Sequence, residues 1–301
     1  MIYMTKEQEK RTPVVVPVYL PPTLDFVFKL LFGDVNNHEI LIGFLKTVLD
    51  LPEKEFVSIE IIDPHLRRQF EEDKLSILDV RVKTKSGNHL DIEMQVASEK
   101  NMRERIELYN AKMLSEQVKS GDYYYEVKRA ISIIITNFVL IPEDNTYRHS
   151  YLRYDPINQA LFSDLTAIHI LELPKMPAIS DDTKLWDWLK FLSSTKKEDF
   201  EMIAKKNPEV SKAVAKLAVL SEEEENRLIY EAQEKARWSK AMREAYVREE
   251  AEKQGLEQGR KEILTKLIQK KLAKGQSPEV IADDLFEDMD VINEMIKELQ
   301  I

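Results

Sequence analysis

Residues 75–98 constrain the fold more than any other part of this chain, because they have the pattern of two strands joined by a turn. Side chains alternate along a strand, so Asp79 would lie on one face of the first strand. The same rule places Asp91, Glu93 and Gln95 together on one face of the second strand. The residues between these positions are mostly apolar. The segment therefore predicts a hairpin with a packed face and a face rich in carboxylates.

The expected turn lies at Ser86, Gly87 and Asn88, where Gly87 is free to adopt a positive φ. A loop of about three residues puts Asp79 across from Gln95 and diagonal to Glu93. Two carboxylates at that separation, together with a backbone carbonyl and waters, suit a hard divalent cation such as Mg²⁺. An ordinary half-exposed hairpin has the same alternation. The strands alone therefore leave both interpretations open.

A family resemblance favours the cation site over the ordinary half-exposed hairpin. Asp79 followed by Glu93-x-Gln95 resembles the Asp…(Asp/Glu)-x-Lys core of the PD-(D/E)XK nucleases, with glutamine in the lysine position. The surrounding sequence is similar to the Rpn-type recombination-promoting nucleases, which are also described as transposases of this superfamily. The segments that carry this similarity are residues 24–34, 39–49 and 108–138. The likeness covers about residues 20–174 closely and the helical tail loosely.

The resemblance implies a fold, an activity and a set of site residues. The fold would be restriction-endonuclease-like α/β, with a mixed sheet flanked by helices, followed by an all-α C-terminal region. The activity would be metal-dependent DNA endonuclease chemistry in recombination or transposition. Asp79 and Glu93 would hold Mg²⁺, or Mn²⁺ in its place, and Gln95 would orient the attacking water. Gln117 is carried over as a fourth catalytic residue, with satisfaction of backbone at a helix end as the alternative.

Gln95 departs from the family pattern, because a glutamine cannot titrate or carry the positive charge of a lysine. A cation on the same face, Lys83 or Arg81, would have to supply that charge. The departure also leaves open a second function, a catalytically weak or inactive nuclease-fold module for DNA or protein binding and oligomerisation. Further site candidates that the resemblance suggests are Asp25, Glu39 and Tyr124.

Composition narrows the class of protein. The 301 residues include no cysteine, which excludes a disulfide framework and a thiolate zinc site and suits a reducing cytoplasm. The five histidines are scattered and lack the spacing of a metal cluster. A formal net charge of −10 argues against a protein that coats nucleic acid by bulk electrostatics. A carboxylate site that attracts phosphate only with a cation bound is compatible with this balance. No apolar run reaches the ~18 residues of a membrane span, so no membrane association is expected.

The order of predicted elements gives an N-terminal arm at residues 1–22, a nuclease-like domain at residues 23–175 and a helical region at residues 176–301. Thr23 is expected to cap the first helix, which Gly33 ends. Residues 56–62 alternate as a strand, and residues 101–120 have a helical stripe. The apolar, β-branched residues 129–140 predict a strand buried on both faces.

The C-terminal region is predicted to mediate dimerisation. Ser221 is expected to cap a helix that runs to about Gly255, followed by shorter helices with many apolar residues. These residues are too numerous for a thin helical layer to bury alone, which predicts a homodimer, with a tail folded back on the first domain of a monomer as the alternative. They are Leu264, Leu267, Ile268, Leu272, Ile292, Met295, Ile296 and Leu299. The end of the tail has the rhythm of a helix-turn-helix but is acidic, which favours packing or a homodimer over DNA reading.

Overall fold

The structure is a computed structural model that describes residues 17–35, 38–49, 51–62, 65–66, 76–77 and 79–299. Its helices are α1 (Asp25–Phe32), α2 (His38–Val48), α3 (Met102–Ser115), α4 (Lys184–Ser193), α5 (Lys197–Lys206), α6 (Pro208–Glu222), α7 (Glu224–Leu272), α8 (Pro278–Leu285) and α9 (Met289–Glu298). Its strands are β1 (Glu60–Ile62), β2 (His65–Leu66), β3 (Ser76–Ile77), β4 (Val80–Lys83), β5 (His89–Gln95), β6 (Ala130–Thr136), β7 (Arg148–Tyr154) and β8 (Leu161–Glu172). Most of the predicted N-terminal arm, residues 1–16, lies outside the described residues.

Six strands form one mixed sheet in the order β1-β4-β5-β6-β8-β7, and β2 pairs with β3 separately. The strands β5, β6 and β8 run parallel, whereas β1, β4 and β7 pair with their neighbours in antiparallel fashion. Every residue of β6 is buried, as expected for a β-branched strand at the centre of a parallel arrangement. Helix α3 provides the crossover between the parallel strands β5 and β6. The predicted mixed sheet with flanking helices is confirmed.

The chain divides into two compact units, Met1–Glu231 and Ala232–Ile301. In the first unit, helices α1, α2 and α4 to α6 share one apolar core with the sheet. The ring of Phe44 lies 5.4 Å from that of Phe32 and 5.7 Å from that of Trp188, measured between centroids. Helix α3 packs through Met102 and Ile106 on a second cluster that includes Ile134 of β6. The boundary expected at residue 175 thus falls inside the first unit, because α4 to α6 bury their apolar faces there.

The second unit contains the later part of α7 together with α8 and α9. Helix α7 continues through Gly255 and Gly259, so the prediction that it ends near Gly255 was wrong. A glycine inside a helix costs about 1 kcal/mol but does not by itself break the helix. Most of the apolar residues expected at a dimer interface pack against one another around Ile268 and Ile292. They therefore do not by themselves require a second copy.

Two predicted helix caps were wrong. Helix α1 begins at Asp25 after Leu24, and no side chain caps it. Ser221 lies within α6, where its hydroxyl donates to the carbonyl of Leu217 and accepts from the backbone N–H of Leu20. The strand expected at residues 56–62 is limited to β1 and follows a 3-10 turn at Glu53–Phe56. None of the described helices is long and apolar enough to cross a membrane.

Candidate functional site

The hairpin of β4 and β5 sets the relative position of the candidate site residues. Val80 pairs with Ile92, and the N–H of Thr84 donates to the carbonyl of Asn88 at 2.9 Å. The turn therefore lies one residue earlier than expected, although Gly87 has the predicted positive φ of 94°. The sequence-based register was wrong by two residues. Continuing the observed pairing by one residue brings Asp79 across from Glu93 instead of Gln95.

A buried carboxylate fixes this turn. Glu55 Oε2 accepts hydrogen bonds from the Thr84 hydroxyl at 2.9 Å and from the Asn88 side-chain amide at 3.3 Å, and it also accepts from the Ser86 hydroxyl. These bonds hold the two ends of the turn together and select the observed register. The hydrogen bonding of Ser86 lowers the pKa of Glu55. A glutamate about thirty residues earlier in the chain, which no local turn rule includes, thus helps to align the candidate site.

Asp79 is held by the neighbouring strand and by α1. Its Oδ2 accepts from the backbone N–H of Met94 at 2.9 Å, and its Oδ1 lies 3.3 Å from Nζ of Lys29. The same ammonium lies 2.8 Å from Oδ1 of Asp25, one helical turn earlier in α1. Burial raises the pKa of Asp79 despite the opposing effects of Met94 and Lys29. The structure therefore brings the candidate Asp25 near Asp79 through a shared lysine.

Glu93 is the more deeply buried of the two predicted metal ligands, with 4% of its surface exposed. Its Oε2 accepts from Nε2 of Gln95 at 2.9 Å, and its Oε1 has no hydrogen-bond partner within the described part of the chain. Burial, followed by repulsion from Asp79, raises the pKa of Glu93 to about 7. Arg105 and Gln95 offset part of that shift. Within the described residues, the site thus presents a buried carboxyl oxygen that no hydrogen-bond donor contacts.

Gln95 is fixed from the other side by Arg105 of α3. The Arg105 Nη2 donates to Oε1 of Gln95 at 2.7 Å, and its Nη1 donates to Oε2 of Glu99 at 2.7 Å. Sequence reasoning missed both Arg105 and the role of Lys29 at Asp79. The available signals were the short connection between the end of β5 and the start of α3, and the spacing of Asp25 and Lys29 by one helical turn.

Asp91 is a third buried carboxylate beside the pair. Burial raises its pKa well above the ordinary value, and Glu93 and Asp79 raise it further. Arg81 lies opposite Asp91 in the hairpin and lowers the pKa of Asp91 in part. The guanidinium of Arg81 pairs with Glu116 and lies 3.3 Å from Nδ1 of His89. Arg81 is thus engaged along the hairpin and α3, whereas the cations in contact with Asp79 and Gln95 are Lys29 and Arg105.

The described contacts of the remaining candidates do not include Asp79 or Glu93. Glu39 forms an ion pair with Lys212. Gln117 donates to the carbonyl of Lys128 at 3.1 Å and accepts from its N–H at 3.0 Å, which corresponds to the alternative role at a helix end. Lys83 is exposed at the end of β4. Tyr124 is 84% exposed in the 3-10 turn Tyr124–Glu126.

The chemistry of the site follows from its donors. The described residues contain no group of three or more histidine and acidic side chains that could hold a metal ion. Asp79 and Glu93 form a two-carboxylate site, with Lys29 beside Asp79 and Arg105 beside Gln95. This arrangement could bind a hard cation whose remaining ligands are waters or substrate oxygens.

Comparison with known proteins gives one match. The model of a family described as PD-(D/E)XK nuclease family transposase matches residues 22–246. The matched range includes the hairpin, α1 and α3, and hence Lys29, Met94 and Gln95, which bond to Asp79 or Glu93 in the described part of the chain. No curated protein and no solved structure matches this chain.

Proposed function

Because the chain belongs to the PD-(D/E)XK nuclease family of transposases, we propose that it is a metal-dependent DNA endonuclease. It would hydrolyse phosphodiester bonds in DNA processing of the recombination or transposition type. The observation that carries this proposal is the adjacent, mostly buried pair Asp79 and Glu93, whose pKa values are both raised. Two buried carboxylates repel each other unless a proton or a cation neutralises them. A cation-binding function explains why the fold keeps them together.

The donors in the site fit Mg²⁺, or Mn²⁺ in its place. Mg²⁺ is often bound by one or two carboxylates and keeps several waters, so two carboxylates suffice. Asp79 and Glu93 would hold the ion, and Oε1 of Glu93, which bonds to none of the residues that the structure describes, is available to it. A bound divalent ion would polarise the phosphate and lower the pKa of a water. Gln95 would orient that water, and Lys29 and Arg105 would favour an anionic substrate near the site despite the acidic net charge.

Plasmid cleavage tests the proposal. Purified protein is incubated with supercoiled plasmid, with Mg²⁺ or with a chelator, and nicked and linear products are measured. We expect metal-dependent cleavage that falls on the order of 100-fold or more in Asp79→Ala, because the variant loses one of the two carboxylates that would hold the ion. Asp164→Ala is the matched control, since Asp164 is exposed and pairs with Arg129, the residue before β6, away from Asp79 and Glu93 in sequence. Cleavage that persists undiminished in Asp79→Ala would remove the site assignment.

The alternative is a nuclease-fold module that binds DNA or protein without cutting. One observation favours it: the ammonium of Lys29 already lies against Asp79, so a cation is present without a metal. In that case the protein retards labelled duplex DNA in a gel, whereas neither Mg²⁺ nor Mn²⁺ produces cleavage. Cleavage by the native protein that Asp79→Ala abolishes would exclude this alternative.

We also propose that two copies act together as a homodimer. Duplex cleavage usually uses one active site for each strand, and a chain with one Asp79–Glu93 pair would gain the second site by pairing with another copy. Trp238, Met242 and Tyr246 are exposed at four-residue spacing along α7, so they form an apolar stripe that a second copy could cover. This stripe replaces the C-terminal apolar cluster as the candidate interface.

Truncation after Glu231 tests the dimer, because Ser221 and Asn226 are buried within the first unit and must be kept. Light scattering should give a dimer for the full chain and a monomer for the truncated one. Trp238→Glu combined with Met242→Glu should have the same effect in the full chain. A monomeric full chain, or a truncated chain that still dimerises, would contradict the proposal.

A further inference from the structure

We infer that Arg105 is a positioning residue for Gln95. It orients the side-chain amide of Gln95 so that the amide N–H group faces Glu93, and it places a positive charge next to the amide oxygen. This inference rests on the proposed nuclease function, because it concerns the same site. It adds a role for a residue of α3 that makes no direct hydrogen bond to Asp79 or Glu93. Arg105 and Gln95 would then act as one unit, with the amide next to the carboxylate and the charge one hydrogen bond away.

The hydrogen-bonding capacity of the two partners determines the amide orientation. A guanidinium can only donate hydrogen bonds, so the atom of Gln95 that lies 2.7 Å from Arg105 Nη2 must be the amide oxygen. The amide nitrogen then faces the Glu93 carboxylate, to which it donates at 2.9 Å. The reversed amide would direct an N–H group at a cation and an oxygen at a carboxylate. Arg105 thus makes Gln95 a donor on the side of the candidate site.

The position of Arg105 strengthens this effect. Its side chain is about three-quarters covered, and the ring of Tyr109 lies 6.0 Å from its guanidinium carbon. In such a setting a charged donor polarises the amide and strengthens the hydrogen bond that the amide makes in turn. Glu99 accepts from the other terminal nitrogen of the guanidinium, Nη1, at 2.7 Å and so also restrains its orientation. The charge that a lone glutamine lacks is therefore supplied from α3.

A purely structural role explains these contacts less well. Arg103, two residues earlier in α3, has the contacts of a structural arginine: it donates to both oxygens of Glu143 and to the carbonyl of Leu140. These bonds join α3 to a distant segment of the chain. Arg105 instead bonds to residues at the end of β5 and the start of α3, and its Nε has no partner within the described part of the chain. Arg103 is therefore the matched control.

A double-mutant cycle on plasmid cleavage by the full chain with Mg²⁺ tests the inference. Arg105→Gln should lower kcat on the order of 10- to 100-fold, as expected for a residue that orients another one, with KM changed less than about threefold. Gln95→Ala should have a similar effect, and the double variant should be about as active as Gln95→Ala alone. Arg103→Gln should stay close to the native protein. Arg105→Lys keeps the charge without the planar fork and should recover part of the activity.

A second readout does not depend on activity. In protein labelled with ¹⁵N at glutamine side chains, the Gln95 amide signals are those absent from Gln95→Ala. Arg105→Gln should shift these signals and speed their hydrogen exchange, whereas Arg103→Gln should not. If Arg105→Gln does not fold, Arg105→Lys and Glu99→Gln are measured instead, with smaller shifts of the same signals expected.

These measurements separate the inference from the function on which it rests. Amide signals unchanged by substitution of Arg105, or losses that add up in the double variant, would overturn the positioning role even if the protein cuts DNA. Metal-independent cleavage, or full activity of Asp79→Ala, would overturn the nuclease site while the amide signals still report on Arg105. A loss of activity in Arg105→Gln that is matched in Arg103→Gln would indicate general destabilisation and would also overturn the inference.

Discussion

Two buried glutamates of the same sheet, Glu172 of β8 and Glu93 of β5, have opposite surroundings. Glu172 is fully buried, and its Oε1 accepts from the backbone N–H groups of Leu140 at 2.7 Å and Ile141 at 3.0 Å. Its Oε2 lies 2.8 Å from Nζ of Lys175. This carboxylate therefore has two backbone donors and a counter-charge, and it fastens the segment after β6 to the end of β8.

Glu93 is almost as buried but has far fewer partners. It accepts one hydrogen bond from Gln95, keeps Oε1 without a described partner and lies close to the carboxylate of Asp79. The fold satisfies Glu172 and leaves Glu93 poorly satisfied, although both lie on parallel strands of one sheet. A buried carboxylate that the fold does not satisfy costs stability. The difference shows that Glu172 stabilises the fold through its own contacts, whereas the poorly satisfied Glu93 supports the proposal of a bound cation.

The largest expected effect is on Glu172. Glu172→Gln removes the charge that balances the ammonium of Lys175, and breaking a buried ion pair on one side typically costs about 3–5 kcal/mol. Urea unfolding should show this loss as a lower midpoint with an unchanged slope. Adding Lys175→Met should recover most of it, because the buried ammonium is then absent as well. A loss below about 1 kcal/mol for Glu172→Gln would break the comparison.

The next effect is the pH dependence that Glu93 confers. Its pKa is about 7 in the folded protein against an ordinary value of 4.5, so the folded state binds more protons than the unfolded state between these values. The free energy of unfolding should therefore fall as the pH rises through that window, by roughly 3 kcal/mol in total for this group. The raised pKa values of Asp79 and Asp91 act in the same direction.

Urea unfolding between pH 5 and 8 in the presence of a chelator checks this prediction. The native protein should lose stability as the pH rises, and Glu93→Gln should show a much smaller loss. The paired variant Glu172→Gln with Lys175→Met should keep the full dependence of the native protein. If Glu93→Gln retained that full dependence as well, the pKa of Glu93 would not be its source.

Much of the fold could be predicted because its signals are local. The central strand, the order of helices and strands and the all-α tail follow from apolar periodicity, and the Asp79 and Glu93-x-Gln95 pattern identified the family. The register of the hairpin could not be predicted, because Glu55, far away in the sequence, selects the turn through Thr84 and Asn88. The continuity of α7 was missed for another reason. Its glycines weaken a helix without ending it.

The site was predicted only in part for a similar reason. Spacing along the chain identified the carboxylates, because they belong to one hairpin. The cations beside them come from α1 and α3, and no spacing rule joins Lys29 to Asp79 or Arg105 to Gln95 across those distances in sequence. Gln117 and Tyr124 were candidates because of the resemblance alone. Both follow the end of α3, where Gln117 bonds to the backbone of Lys128 and Tyr124 is exposed.

The smallest expected effect is stabilisation of the folded protein by metal, which distinguishes a site that binds a divalent ion from a binding module without one. Mg²⁺ that binds only the folded protein should stabilise it by about 2.7 kcal/mol at a hundred times its Kd, and by about half as much at ten times Kd. The shift in melting temperature should be larger at pH 8 than at pH 6, because Glu93, with a pKa of about 7, must be ionised to bind the ion. It should vanish in Glu93→Gln and persist in the Glu172→Gln, Lys175→Met pair. Of the two glutamates, only Glu93 would then be required for the stabilisation by metal. No shift in melting temperature at millimolar Mg²⁺ or Mn²⁺ would favour the binding module that does not cut DNA.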